Sequence, residues 1–407
     1  MATTDHTARA MPRFPEFVAL MASLLALTAL AVDIMLPALD RIRDDLGVTI
    51  DNRQQLVVAG YMLGFALGQV IYGPLSDRFG RRPVLFAGLG LYIAASLACV
   101  FAGTLDELLL WRLVQGFGNA APRVIAVAVV RDTFGGRKMA EVMSFVMMTF
   151  IIVPVIAPSV GGMVLLFGDW HAIFVVLGVA GALILGWTAL RLPETRRPED
   201  RAPLSPAWLG AALRRTATTR MTLGYTLATG MIFGALLAYV SSAQQIFTVV
   251  YELGDFFPVA FGVTAVGMAA ASLVNGRFVG RLGMRRISHA ALIGYLAAGL
   301  GMALAARLGT PPLALFMGLL ILGLFCFGLI MPNFNAIAME PMGQIAGTAS
   351  SFVGAVTTAM AAVLGGWVGQ RYDGSIVPLA DAFAVFAAAG LVIVLVTERG
   401  RLFRVGN

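Results

Sequence analysis

The chain has 407 residues, of which 59% are hydrophobic and 13% charged, with a formal net charge of +7. Soluble domains average about 45–50% apolar and about 25% charged residues, so this sequence has too little polar surface to face water on all sides. Two cysteines, Cys99 and Cys326, both inside apolar runs, and three scattered histidines, His6, His171 and His289, argue against a disulfide framework or a metal-ligand cluster.

A short polar N-terminus with Arg9 and Arg13 precedes the first apolar run, which starts near Phe17. That run has no small-residue cleavage site and is read as a retained helix. Apolar runs of about 20 residues are read as spanning helices, because a helix satisfies every backbone polar group within the segment. The runs predict spans at 17–38, 54–74, 83–103, 107–130, 139–166, 170–190, 221–247, 256–280, 287–306, 312–334, 345–369 and 378–397. The Arg- and Pro-rich stretch 191–220 separates two sets of six. It predicts an N-terminal half at 1–190, a linker with a short surface helix near Pro206–Arg215, and a C-terminal half at 221–407.

Span 1 reads LTALAVDIMLPALD and carries Asp33, the one acid well inside an apolar span. An intramembrane charge costs about 2.5–3.5 kcal/mol on insertion scales and is a functional candidate by default. Its natural counter-ion is Arg112 of span 4. At 1.5 Å per residue both lie roughly 8–9 Å below the same boundary, so the two are expected to meet. Burial and a nearby guanidinium move a carboxylate's proton affinity in opposite senses, which suits proton loading and release. A static ion pair is the alternative. Gly60, Gly64 and Gly68 of span 2 predict a helix-packing face.

The loop after span 2 reads GPLSDRFGRRP from Gly73. Gly73 and Gly80 allow a tight turn, Asp77 can pair with a neighbouring arginine or cap a helix, and Arg78, Arg81 and Arg82 anchor this face. In span 4, Arg123 lies about three turns beyond Arg112 on the same face, behind Pro122. It either lines a cavity mouth or reaches the interface and backbone carbonyls. Span 5 contains VPVIAPSVGG, in which Pro154 and Pro158 kink the helix and Gly161 and Gly162 permit close packing. Tyr61, Gln69, Gln115, Asn119, Tyr239, Gln244, Gln245, Asn333 and Asn335 are further polar residues within spans. Of these, Tyr61, Gln115, Asn119, Tyr239, Gln244 and Asn333, with Arg123, are candidates for a substrate cavity.

With both termini placed in the cytoplasm, 22 of the 29 Lys and Arg residues fall on that side, five on the other, and Arg112 and Arg123 inside spans. This is the positive-inside bias, and it explains the basic balance without nucleic acid. The loop after span 8, GRFVGRLGMRR from Gly276, matches the loop after span 2 at an offset of 203 residues. Repeated halves are the device of alternating access.

GPLSDRFGRRPVL resembles the characteristic loop of the major facilitator superfamily. The resemblance implies a latch in which Asp77 and Arg81 hold one conformation, with Asp132 as a partner. Gly280 stands where the second copy needs its acid, so a weaker latch is expected there. Arg112 to Ala120 resembles the family's span-4 pattern. The AP-x-x-GG form of span 5, with D-x-x-L-P-A-L in span 1 and Arg131-Asp132 before MSFVM, resembles the Bcr/CflA drug-efflux branch. The likeness is strong over the N-terminal half; the C-terminal half matches in span pattern and in GTASS, 347–351.

The expectation is an all-α membrane protein with the major facilitator fold, exporting small, largely apolar drugs, antibiotics included, in exchange for protons. No cofactor, metal or nucleic acid is expected; the proton gradient supplies the energy, the lipid bilayer is the surrounding partner, and the unit is a monomer in a bacterial-type inner membrane. A proton-coupled metabolite transporter and a non-transporting receptor or scaffold are the competing classes. An enzyme is disfavoured, since no GxSxG, HExxH or P-loop pattern occurs.

Overall fold

The computed structural model describes residues 11–134, 136–196, 199 and 206–403. Residues 197, 198 and 200–205 of the linker, and His6 and Arg9 of the N-terminal arm, lie outside the described residues. The side chains of Arg137 and Lys138 also lie outside them. Among the described residues the chain is helical throughout and contains no strand.

The helices are α1 Phe14–Asp33, α2 Leu39–Asp45, α3 Leu56–Phe79, α4 Arg81–Val100, α5 Leu105–Thr133, α6 Gly136–Phe167 and α7 Trp170–Arg191. After the linker helix α8 Pro206–Thr218 come α9 Arg220–Gln245, α10 Phe257–Leu282, α11 Met284–Arg307, α12 Leu313–Met339, α13 Ala346–Gly369 and α14 Val377–Thr397. Among the described residues, 11 helical stretches are long and apolar enough to cross a membrane. α6, with 32 residues, is the remaining long helix, and its 152–167 portion is apolar.

Several helices run past their predicted ends on the side where most of the arginines lie, called here the arginine-rich side. α3 continues to Phe79, α5 to Thr133 and α12 to Met339. Hydropathy stops at the first polar residues, whereas the backbone ladder continues while those residues find partners. Span 1 differs in the other direction. Its helix stops at Asp33, followed by a 3₁₀ turn over Leu36–Ala38 and then α2. The cause is Pro37: the carbonyl of Asp33 would accept from the N–H of residue 37, and proline has none.

The first six spans pack as α3 and α4 on α5, α1 on α6, and α4 on α7. The second six pack as α11 on α12 and α14, α9 on α13 and α14, and α10 on α12. The two halves meet along α3–α13 and α6–α10. The repeat is visible in the glycines. A Cβ on Gly64 would run into the carbonyl oxygen of Leu113, and one on Gly267, 203 positions later, would sit 2.5 Å from that of Ile321. The linker helix α8 packs on α9 and α13, with Ala212 and Thr216 buried.

Candidate functional site

Asp33 sits at the break that Pro37 creates, 5% exposed, and it has no hydrogen-bond or ion-pair partner among the described residues. The turn after it packs between α6 and α9, so the carboxylate lies where the two halves adjoin. Gly161 makes this seat possible. A Cβ there would collide with the carbonyl oxygen of Ile34 and stand 3.0 Å from Cγ of Pro37. Gly162 beside it faces open space. Across the seam, Tyr239 of α9 lies within electrostatic reach of Asp33. Its hydroxyl is 2.9 Å from Oγ1 of Thr264, whose own hydrogen goes to the carbonyl of Phe261 at 2.7 Å. With the Thr264 hydrogen so placed, Tyr239 is the donor, and its oxygen keeps lone pairs able to accept.

Arg112 does not pair with Asp33. Completely buried, it donates Nε to the Val57 carbonyl (3.1 Å), Nη2 to the Ala31 carbonyl (3.1 Å) and Nη1 to Oε1 of Gln115 (2.6 Å). Its guanidinium lies 4.5 Å from the ring centre of Tyr61. The depth argument brought Arg112 to α1, two residues from Asp33. Arg112 meets the α1 backbone from α5, at the Ala31 carbonyl, whereas the Asp33 carboxylate lies within electrostatic reach of Tyr239 on α9. Arg112 thus staples α1 and α3 to α5, and Gln115 extends the network to Oγ of Ser96 in α4 (2.7 Å). Asn119 donates to the Tyr61 hydroxyl. Arg123 is half-buried, 5.8 Å from the ring centre of Phe65. Because lysine cannot reproduce the planar fork, Arg112→Lys is expected to lower thermal stability by about 2–5 kcal/mol, since each hydrogen bond lost from a charged group is worth about 1.5–3 kcal/mol. Asp33→Asn should leave it unchanged; thermal unfolding in detergent separates the two.

On the arginine-rich side, Gly80 turns the chain with φ 99° and places Arg81 at 1% exposure. Arg81 bonds Asp77 (2.8 Å), Asp132 (2.8 Å) and Oγ of Ser76 (2.8 Å). Glu194 accepts from the backbone N–H of Arg81 (2.8 Å) and Arg82 (3.0 Å), capping α4, and Arg82 donates to the Ala189 carbonyl. Arg78 is exposed. Gly73 abuts α13 of the other half: a Cβ would lie 2.8 Å from Oγ of Ser351. Removing Arg81 strands two acids, so Arg81→Ala should cost about 3–5 kcal/mol. Asp77, 38% exposed at its side chain, should contribute at most about 1 kcal/mol. Melting curves of Arg81→Ala and Asp77→Asn check this order.

The second loop has a clamp of its own, more exposed than the first and built on other residues. Gly283 turns with φ 81°, and Arg285 pairs with Glu340 (3.1 Å) and Glu398 (2.9 Å). Tyr225 donates to Glu398 at 2.7 Å, and its oxygen lies 2.8 Å from Nε2 of His289, whose Nδ1 accepts from the Phe403 N–H. With no acid at Gly280, Arg285 takes its acids from 55 and 113 positions further along the chain, at the ends of α12 and α14, beyond the reach of a local motif.

The opposite side is closed by neutral amides. Asn52 donates to the Tyr372 carbonyl (2.7 Å) and accepts from Gln245 (3.2 Å); Gln370 donates to the Asn52 carbonyl, and Gln55 and Gln245 bond each other. Gln244, a cavity candidate, donates to Asp40 (2.6 Å) in this closure. Asn333, another, is held by Asn275 (2.7 Å) and the Leu329 carbonyl (2.7 Å) within the second half. Gln69 bridges the halves midway, to Oγ1 of Thr358 (3.1 Å).

This arrangement agrees with what the chain is similar to. Residues 21–366 match the family model described as Major Facilitator Superfamily. A bicyclomycin resistance protein homolog of Haemophilus influenzae is 31% identical, covering 89% of this chain and 91% of that one. Multidrug resistance protein D of Escherichia coli is 28% identical over 84% of this chain and 85% of its own length. In shape, the crystal structure of the human organic anion transporter MFSD10 (TETRAN) superposes with a TM-score of 0.69 over 95% of this chain and 100% of that one, at 18% identity, which speaks to the fold. With a repeated twelve-helix architecture, the glycine-arginine loop and matches over most of its length, the chain belongs to the Major Facilitator Superfamily.

Proposed function

We propose that this protein is a drug/proton antiporter that exports small, largely apolar compounds, antibiotics among them, from the cytoplasm. Asp33 carries the reading: a buried carboxylate at a helix break, without a hydrogen-bond or ion-pair partner among the described residues, facing the half that must move. A carboxylate passed between dry and wet surroundings changes its proton affinity, which is what a coupling site requires. Names of relatives point the same way: bicyclomycin resistance for one, multidrug resistance for several.

In this proposal residues 1–190 and 221–407 are the rocking halves, joined by the 191–220 linker. The proton gradient drives the cycle with no cofactor, and a monomer suffices. The positive-inside bias puts both termini in the cytoplasm of a bacterial-type inner membrane. The amide closure then lies on the outer side, in keeping with a state that loads from within. Asp33 and Tyr239 form the centre of the site, the Arg81 and Arg285 clamps form the inner latches, and Arg112 is a positioning residue.

The test uses liposomes with a pH-sensitive dye inside and an imposed pH gradient. Addition of a substrate from an antibiotic panel should move protons against the direction of drug movement. Proton and compound moving together would replace antiport with symport. A response to metabolites alone would replace the drug assignment.

A further inference from the structure

A groove of about 460 Å³ opens on the flank of the protein where the halves meet, on the side away from the arginines. Its walls come from α3 and α5 of one half and α13 of the other, with Leu110, Leu113, Val363 and Trp367 as sides and Gly60 and Gly366 as floor. Leu110, Val363 and Trp367 are 57%, 62% and 51% exposed, so the groove opens on the outer surface of spanning helices. The halves approach closely at the floor, where a Cβ on Gly366 would sit 3.0 Å from Cβ of Ala59. From Ala362 to Gln370 the groove runs about 12 Å along the α13 axis, within one leaflet of a hydrocarbon core about 30 Å thick.

A cation stands at the mouth. The guanidinium of Arg371 lies 3.8 Å from the ring centre of Trp367. The other arginines of this side are engaged: Arg43 with Asp44, Arg53 with Asp106, Arg307 with Asp381, and Arg41 on the Leu165 carbonyl. Arg371 has no acidic partner among the described residues, and its side chain is exposed. A tryptophan and an arginine stacked at the end of a spanning helix sit at headgroup level. The donors of Arg371 are thus presented to the headgroup layer directly above an apolar slot.

We propose that this slot binds one acyl chain of an anionic glycerophospholipid of the leaflet opposite the termini, with its phosphate on Arg371. The chain supplies apolar contact to both halves at once, and the unpaired guanidinium meets the net negative headgroup. A rocking motion that opens this side separates α3 from α13 and dismantles the slot. The lipid therefore binds one conformation better than the other and shifts the population toward the state closed on this side.

Native mass spectrometry of the purified full-length protein, titrated with dioleoyl phosphatidylglycerol or dioleoyl phosphatidylcholine, tests this. Wild type should bind one phosphatidylglycerol about tenfold more tightly than phosphatidylcholine, because both phosphates can accept from Arg371 but the choline ammonium cancels the attraction of the second. Arg371→Gln, a change at an exposed side chain, should erase that preference. Val363→Trp, which fills the slot, should remove the bound lipid altogether. Equal affinity for the two lipids, or retention of the same lipid by both variants, overturns the proposal. Loss of drug binding by Val363→Trp in lipid-free detergent also overturns it, by making the groove a lateral route for substrate. These readouts do not depend on drug/proton exchange, so the two proposals fail separately.

Discussion

Asp33→Asn should abolish uphill transport while leaving a folded carrier that still exchanges substrate down its gradient. One proton exchanged per drug makes a one-unit pH difference worth about 1.4 kcal/mol, which sustains about a tenfold concentration ratio. Asparagine keeps the size and polarity of the side chain but carries no titrating proton, so that ratio should collapse to about one. Asp33 has no hydrogen bond to lose among the described residues, so the substitution breaks no contact and the melting temperature should stay. The measurement is substrate accumulation in proteoliposomes with and without a pH gradient, alongside substrate-for-substrate exchange. A mutant that unfolds, or loses exchange as well, assigns Asp33 a structural role; one that still accumulates substrate moves the coupling site elsewhere.

The second large effect comes from two adjacent glycines with opposite environments. Gly161→Ala pushes a methyl group into the backbone carbonyl of Ile34 and the ring of Pro37. Neither can give way without moving Asp33, which is one residue from Ile34. Overpacking of this kind costs about 1–3 kcal/mol, and the displaced carboxylate should reduce transport by about tenfold or more. Gly162→Ala meets nothing within 4 Å and relieves the helix of a flexible residue, so it should be neutral or stabilising by up to about 1 kcal/mol. Transport assays and melting curves on the pair decide the matter. Equal tolerance would mean that α6 packs loosely on the break; equal loss would mean that the second glycine serves a contact formed in another conformation.

These two predictions show where local pattern is enough and where it is not. Long apolar runs and the placement of Lys and Arg determine the helix number, and together with the repeated loops they bring out the two halves. Those signals arise from each segment's own exchange with lipid and water, so they survive without tertiary information. The same holds for Asp33, whose rarity inside an apolar span marks it regardless of neighbours. Even the end of α1 at Asp33 was open to local reasoning, because a proline four residues on leaves that carbonyl without its donor.

The partners were decided by packing. Equal depth suggested that Arg112 would meet Asp33, but depth does not fix which way a side chain turns around its helix. Arg112 instead satisfies its fork on the carbonyls of Ala31 and Val57. The clamp on Arg285 draws its acids from positions 340 and 398, and the amide closure joins position 52 to positions 245 and 370. Gly161, read as a generic packing residue, owes its role to one carbonyl oxygen of α1. The sequence by itself determined the spans, the repeat and the charged residue that should not be in lipid, because each depends on the energy of one segment in its solvent. Only the tertiary structure decided what each buried polar group bonds to, because that depends on which helices come within about 3 Å of one another.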